Sequence, residues 1–352
     1  MTAVDDFDFA LPSELIAQDA APRGESRLLV LDRAAGSRTH ASVRDLPRFL
    51  RAGDLLVAND TKVFPARLIG RRVPSGGVVE CVLLAREERT GGSEVWSALM
   101  HPGQKLKPGA TVRFESGASA LMAEVLERQF FGRRTIRLWS QHGDDIDTLV
   151  DRIGRVPLPP YIHRSDTDAD RERYQTVFAS RRGSVAAPTA GLHFDRALLD
   201  AVERAGVERA TITLHVGYGT FKPVRAAQVE DHVVDPEPYE MSAAAVAAIN
   251  RALADRRRVI AIGTTTTRAL EDAAQRGDGR VTAGRADAGL FIHSAFRFQV
   301  ISGLVTNFHL PRSSLLMLVA AFGGREHVLA AYRDAIARRY RFYSYGDAML
   351  VI

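Results

Sequence analysis

Six short runs rich in Val, Ile, Leu and aromatic residues follow one another at 66–72, 78–85, 95–100, 111–114, 121–126 and 135–139. Clusters such as Pro74-Ser75-Gly76-Gly77, Thr90-Gly91-Gly92-Ser93 and Lys107-Pro108-Gly109 separate them. Short strands at this spacing, punctuated by Gly and Pro, argue for a small all-β barrel or sandwich. Cys81 falls inside the second run, where a lone thiol serves as a small buried hydrophobe.

On either side of this block the texture changes to alternating strands and helices. Apolar runs at 27–32, 55–58, 209–216 and 259–262 read as strands, and the segments 242–256, 269–274 and 315–322 read as helices. Asp195 precedes a helix at 196–205, whose apolar positions 197, 198, 201, 202 and 205 form one stripe ending at Gly206, so Asp195 is read as its N-cap. Pro157-Leu158-Pro159-Pro160-Tyr161 cannot be helical and reads as an extended hinge. The fold class is therefore α/β: a large mixed α/β domain (1–65 plus 150–352) interrupted by a small inserted all-β domain (66–149).

Composition narrows the function. The longest apolar run, 315–322, is too short to cross a bilayer, and Met1-Thr2-Ala3-Val4-Asp5-Asp6 has no signal-peptide core. One cysteine in 352 residues excludes an intramolecular disulfide framework and fits a reducing cytoplasm. No two histidines are spaced i, i+2 or i, i+4, and there is no second cysteine, so no metal site is expected. A net charge of +5 permits an anionic partner such as nucleic acid, although 43 of the 47 basic residues are arginine, as in a GC-rich coding sequence.

Two turns each carry a histidine among small residues. The first is Ala187-Pro188-Thr189-Ala190-Gly191-Leu192-His193-Phe194; the second is Leu214-His215-Val216-Gly217-Tyr218-Gly219-Thr220-Phe221. Small residues let a backbone approach a ligand closely, and imidazole moves protons near neutral pH. A core histidine satisfied by hydrogen bonds would leave the same trace. A third turn, Gly263-Thr264-Thr265, follows a strand, opens a helix and is followed by Arg268, an arrangement that points amides at an anion. It has neither a dinucleotide fingerprint nor a Walker lysine, and no G-x-S-x-G elbow occurs in the chain.

These motifs join others: Gly53-Asp54-Leu55-Leu56-Val57, Pro65-Ala66-Arg67-Leu68, Pro157 to Ile162, Tyr174-Gln175-Thr176-Val177-Phe178, Thr306-Asn307-Phe308-His309-Leu310-Pro311, and Tyr340-Arg341-Phe342 through Tyr345-Gly346-Asp347-Ala348-Met349. In this order, over nearly its full length, the chain resembles the S-adenosylmethionine:tRNA ribosyltransferase-isomerases of queuosine biosynthesis. Asn59-Asp60-Thr61-Lys62 is similar to a further family pattern, and Tyr218 stands where alanine is frequent.

The resemblance implies a large α/β domain with a small β-barrel. It implies S-adenosylmethionine as a consumed ribosyl donor rather than a cofactor, and as acceptor 7-aminomethyl-7-deazaguanine at the tRNA wobble position. Epoxyqueuosine-tRNA, adenine and methionine would be the products. On this reading His193 and His215 are candidate bases, Asp347 or a tyrosine a proton donor to adenine, and Asp60 a proton acceptor from the amine. Thr189, Ala190, Gly191, Gly217, Gly219, Thr220, Asn307, Tyr345 and Gly346 would line the substrate site. Amides at Gly263, Thr264 and Thr265, with Arg268, would receive the methionine carboxylate. Tyr218, Phe221 and Phe308 are candidate stacking platforms; Lys62, Arg67, Arg71 and Arg72 are candidate phosphate contacts. The turns near 190, 217, 264, 307 and 346 are expected to meet around one site. Two other readings fit the sequence: a non-catalytic RNA-binding accessory protein working through its barrel, and a paralogue with an altered acceptor. No membrane partner is expected, and the oligomeric state stays open.

Overall fold

A computed structural model describes residues 2–217, 219 and 224–352. The chain begins with β1 (Arg27–Leu31) and β2 (Arg38–Ser42), which pair antiparallel, and then β3 (Leu55–Asn59), buried at every position. A short β4 (Thr61–Val63) leads into six barrel strands: β5 (Arg67–Val73), β6 (Val78–Thr90), β7 (Ser93–His101), β8 (Thr111–Ser116), β9 (Ser119–Arg128) and β10 (Arg133–Ser140). They close as β10-β7-β6-β5-β8-β9, antiparallel throughout. Closure leaves no unpaired edge, and Leu68, Cys81, Leu83, Met100, Phe114 and Ile136 fill the interior. Burial raises the Cys81 thiol pKa, so the group stays protonated and inert.

Helix α1 (Ile146–Ile153) is capped by Asp145, which accepts from the Thr148 amide at 3.0 Å. Its apolar stripe, Ile146, Leu149, Val150 and Ile153, joins the barrel core, as do Phe64 and Val185. The barrel's packing unit thus extends beyond 66–149, because an amphipathic helix has to bury its stripe and the barrel mouth receives it.

The chain returns to the α/β body through α2 (Asp168–Arg173), β11 (Arg181–Ser184), α3 (Arg196–Arg204), β12 (Glu208–Leu214), β13 (Glu237–Met241) and α4 (Ala243–Ala254). It then forms β14 (Val259–Ile262), α5 (Thr264–Arg276), β15 (Gly284–Ala288), β16 (Gly303–Asn307), α6 (Ser314–Gly323), α7 (Arg325–Ala337) and β17 (Ala348–Val351). Nine strands make one sheet in the order β15-β13-β12-β3-β14-β16-β17-β1-β2. Strands β3, β14, β16 and β17 are buried throughout, as expected of strands covered on both faces. Asp195 caps α3 by accepting from the Leu198 amide at 2.7 Å, the role its position indicates. The edge strand β15 has little apolar pattern of its own, so its place comes from pairing with β13.

The four neighbours β12, β3, β14 and β16 run parallel, so their carboxyl ends share one rim. That rim is the place where open α/β sheets receive ligands. From it β4 pairs in parallel with β11, forming a two-stranded neck beside the barrel. No single helix among the described residues is long and apolar enough to cross a membrane, and the bent α6–α7 pair is largely packed into the protein core.

Candidate active site

Four carboxyl-end segments meet at the rim. Asn59 ends β3, and its side chain ties two strand ends together: Nδ2 donates to the Leu214 carbonyl at 2.9 Å, while Oδ1 accepts from the Leu214 amide at 3.1 Å. β12 therefore delivers His215 at a fixed height. β14 ends at Gly263, whose φ of +91° a side chain would strain, and α5 begins at once. β16 ends at Asn307.

Between them lies a narrow cavity of about 40 Å³ lined by Thr189, Ala190, Val216, Gly263, Thr264, Thr265, Thr306, Asn307, Tyr343 and Ser344, with Tyr161, Ala187, Pro188, His309 and Leu315 completing the wall. Segments from Tyr161 to Ser344, more than 180 positions apart in sequence, converge on it. Asn307 organises its floor. Its Oδ1 accepts from the Thr189 hydroxyl at 3.1 Å, and its Nδ2 donates to the Tyr343 carbonyl at 3.1 Å and to Nε2 of His193, also at 3.1 Å. Tyr343 holds φ at +74°, unusual for an aromatic residue, and its amide donates to the Phe308 carbonyl at 2.9 Å. The Tyr161 hydroxyl bonds that of Ser344, and the Tyr161 ring meets Tyr343 edge-on, 3.7 Å between centroids. Burial drives the Tyr161 pKa well up, so the hydroxyl keeps its proton. The Thr265 hydroxyl is buried and has no hydrogen-bond partner among the described residues.

A larger cleft of about 490 Å³ opens beside this cavity, between body and barrel. Its body side carries Gly183, His215, Gly217, Gly219 and Glu237, and its barrel side Trp96, Arg86 and Arg133. Nδ1 of His215 lies 2.8 Å from the Thr61 hydroxyl, on the neck. Burial lowers the His215 pKa and the Asp60 carboxylate opposes the shift, leaving the imidazole available as a base. Gly183 packs flat under the ring: a Cβ there would come within 2.6 Å of it. Asp60 accepts from the Thr213 hydroxyl at 2.6 Å and the Ser180 hydroxyl at 3.1 Å.

The two histidines therefore occupy different environments. His193 is wholly buried, its pKa pushed down to about 4 by burial. His309, two positions after Asn307, is depressed to about 3 by the same cause, with Nε2 2.9 Å from the Thr306 hydroxyl.

Several expected residues serve the frame rather than the cavity. Asp347 accepts from the amides of Arg27 at 3.0 Å and Arg341 at 2.8 Å and pairs with the Arg27 guanidinium at 2.9 Å, so both oxygens are committed and it is not placed to protonate adenine. The Arg268 guanidinium pairs with Glu237 at 2.7 Å and donates to the Ala288 carbonyl at 2.8 Å, so its charge is already matched inside the protein. Phe308 is 0 % exposed, stacked among Tyr332, Tyr340 and Phe342, which removes it as a base platform. Tyr345 turns away to donate to Asp170 at 3.1 Å, and Gly346 makes a turn whose Cβ position lies 2.5 Å from the Arg341 carbonyl. Gly191 packs on Thr176 instead of facing the cavity. Tyr218, Thr220 and Phe221 lie outside the described residues.

Among the basic candidates, Lys62 and Arg71 are exposed, Arg72 bonds the Ser75 hydroxyl, and Arg67 pairs with Glu80 at 2.8 Å. The contributions of Tyr161, Tyr343, Ser344 and Thr306 to the wall escape a reading of local motifs. Tyr161 and Thr306 lie inside the motifs at 157–162 and 306–311, and Tyr343 and Ser344 fall between the 340–342 and 345–349 stretches, but nothing local tells which neighbour turns inward.

An α/β sheet with a ligand cavity at its carboxyl rim, facing an inserted β-barrel across a histidine-bearing cleft, defines a two-part enzyme of the α/β class. The family described as queuosine biosynthesis protein matches residues 4–351. The chain belongs to that family. An S-adenosylmethionine:tRNA ribosyltransferase-isomerase of Anaeromyxobacter sp. is 51% identical over 348 residues, 98% of each chain. One of Heliobacterium modesticaldum is 49% identical over 347 residues, again 98% of each. The crystal structure of S-adenosylmethionine tRNA ribosyltransferase from Thermotoga maritima is similar with a TM-score of 0.55 and 35% identity, covering 99% of this chain and 100% of that one.

Proposed function

We propose that this chain is an S-adenosylmethionine:tRNA ribosyltransferase-isomerase. It transfers and isomerises the ribosyl group of S-adenosylmethionine onto 7-aminomethyl-7-deazaguanine at the wobble position of tRNA, giving epoxyqueuosine-tRNA, adenine and methionine. The observation that carries this reading is the convergence of the 189, 216, 263, 306 and 343 segments on one cavity, joined to a cleft wide enough for a nucleoside. S-adenosylmethionine is spent as substrate, and no cofactor is invoked.

The residues divide the work by position. The methionine carboxylate rests on the first amides of α5, with the Thr265 hydroxyl, which has no partner among the described residues, as an added donor. The rings of Tyr161 and Tyr343 offer π faces to the sulfonium. A sulfonium acidifies the protons of the ribose C5′, and His215 removes one, its ring held in place by the Thr61 hydroxyl. Tyr161, which retains its proton, donates a hydrogen bond to adenine as the ribose opens. Asp60 favours the charged imidazolium electrostatically, and it takes a proton from the amine. His193 braces Asn307 and does not titrate in the working range. Lys62, Arg71 and Arg72 meet phosphates, so binding weakens with salt.

The test is release of adenine from S-adenosylmethionine in the presence of precursor tRNA, followed by mass spectrometry, together with the mass gain of the tRNA. Adenine release that requires both substrates is the expected result. Intact tRNA binding with adenine at background would assign the accessory role instead, and a methylated tRNA would make the chain a methyltransferase.

A further inference from the structure

The most exposed large apolar side chains of the described residues are adjacent: Phe130 at 86% and Phe131 at 87% exposure, on the turn joining β9 to β10. This turn is built rather than loose. The Gln129 amide donates to the Arg133 carbonyl at 3.0 Å, and the Gln129 side chain donates to Thr135 at 3.1 Å. Phe131 is held at φ +54°, in the left-handed region that a bulky residue enters at a penalty. A backbone strained to present two aromatic rings to solvent calls for something to cover them.

The surroundings specify the charge of the occupant. Beneath the rings lies a groove of about 480 Å³ whose wall includes Arg128 and Arg134. Arg134 is 1% exposed, and its guanidinium is satisfied by three carbonyls, those of Leu106, Arg133 and Gly103, with no carboxylate within ion-pair distance among the described residues. It is a fixed, uncompensated cation beside the groove. Lys105 and Lys107 flank Leu106 at the surface, and neither they nor Arg128 makes an ion pair within the described residues. Arg133, one position before Arg134, lines the His215 cleft and reaches Asp235 at 3.3 Å, so the start of β10 contributes to both the groove and the cleft.

We propose that the 128–134 turn is a docking surface for unpaired RNA nucleotides. Bases flanking the one delivered to the cleft stack on Phe130 and Phe131, while the exposed Lys105, Lys107 and Arg128 receive the intervening phosphates and the buried Arg134 adds a fixed positive charge behind them. The inference rests on the tRNA reading above and adds to it the barrel surface that grips the loop. Stacking supplies affinity without sequence preference, and the cations supply the salt dependence.

The experiment uses the full chain and a fluorescent anticodon stem-loop RNA, with a fully paired RNA of equal length as control. Phe130→Ala/Phe131→Ala raises Kd for the loop RNA by about tenfold or more, the loss expected for a stacked base. It changes Kd for the paired control less than twofold and leaves the melting temperature unchanged, and Phe130→Tyr/Phe131→Tyr retains the affinity. Lys105→Ala/Lys107→Ala/Arg128→Ala flattens the slope of log Kd against log salt by about two, whereas the Phe variant leaves that slope alone. A double-Ala variant that binds the loop RNA within twofold of the parent overturns the proposal. So does a parent dimer that the double-Ala change splits with RNA affinity intact, since the rings would then cover a second copy. Tryptic or thermal evidence that the double-Ala variant is misfolded passes the decision to the salt slope of the Lys/Arg variant. Adenine release by a parent whose RNA affinity ignores these changes sinks only the docking surface; a parent that binds no tRNA sinks both readings.

Discussion

The side-chain amide of Asn307 and Nε2 of His193 lie 3.1 Å apart, and the roles of the two are set by a third group. The Tyr343 carbonyl can only accept, so the end of Asn307 facing it is the NH₂, and the remaining N–H of that NH₂ points at an imidazole nitrogen that must present its lone pair. His193 is thus required to be neutral, in accord with its burial. The unfolded chain binds a proton at this residue below about pH 6.5 and the folded one only near 4, so stability is full above 6.5 and declines as pH falls between these values, by on the order of 3 kcal/mol at the acid end. Urea midpoints at pH 7, 6, 5 and 4.5 should fall more steeply for the parent than for His193→Gln. Equal slopes would show that this imidazole does not set the acid limit.

His215 is the histidine that faces the larger cleft. His215→Ala should lower kcat for adenine release by about 10²–10⁴-fold, the usual range for a general base, with little change in melting temperature. Gly183→Ala should mimic part of that loss, because its Cβ would sit 2.6 Å from the ring and push it off the Thr61 hydroxyl. Full activity in both variants would remove His215 from the chemistry.

Thr265 joins a buried hydroxyl, without a partner among the described residues, to the start of α5. An unsatisfied buried hydroxyl costs about 1–3 kcal/mol, so Thr265→Val should be neutral or stabilising in the free protein. The same change should weaken S-adenosylmethionine binding by about three- to tenfold, read by calorimetry. Loss of stability together with unchanged affinity would mean that the hydroxyl has a structural partner and no ligand.

The Arg268–Glu237 pair is buried on both sides, and Glu237 also accepts from the Gly217 amide at 2.8 Å. Arg268→Met strands a carboxylate and should destabilise by about 3–5 kcal/mol, while Arg268→Met/Glu237→Gln should recover part of this in denaturant titrations. Were Arg268 instead the methionine's counter-ion, the single variant would be stable and defective only in S-adenosylmethionine affinity.

Local patterns were sufficient for the fold class and for most of its elements, though not for β4, β11, β13 and β15, which tertiary pairing places. Gly/Pro punctuation spelled out six barrel strands, Asp195 announced its helix, and continuous apolar runs marked β3 and β14 as strands, because turn chemistry, capping and two-sided burial act over a few residues. The turns at 189, 216, 263 and 306 were also legible as parts of a site. What sequence alone did not settle was the direction each side chain takes once those turns meet. Tyr343 faces the cavity while Tyr345 leaves it for Asp170; Arg268 is claimed by Glu237 and Asp347 by Arg27; Phe308 joins the aromatic core; and His193 loses its proton affinity to burial while His215 keeps more of its own. Each outcome depends on partners that arrive from far along the chain. Hydrogen-bond commitment and desolvation are properties of the assembled neighbourhood, and no local stretch of residues encodes them.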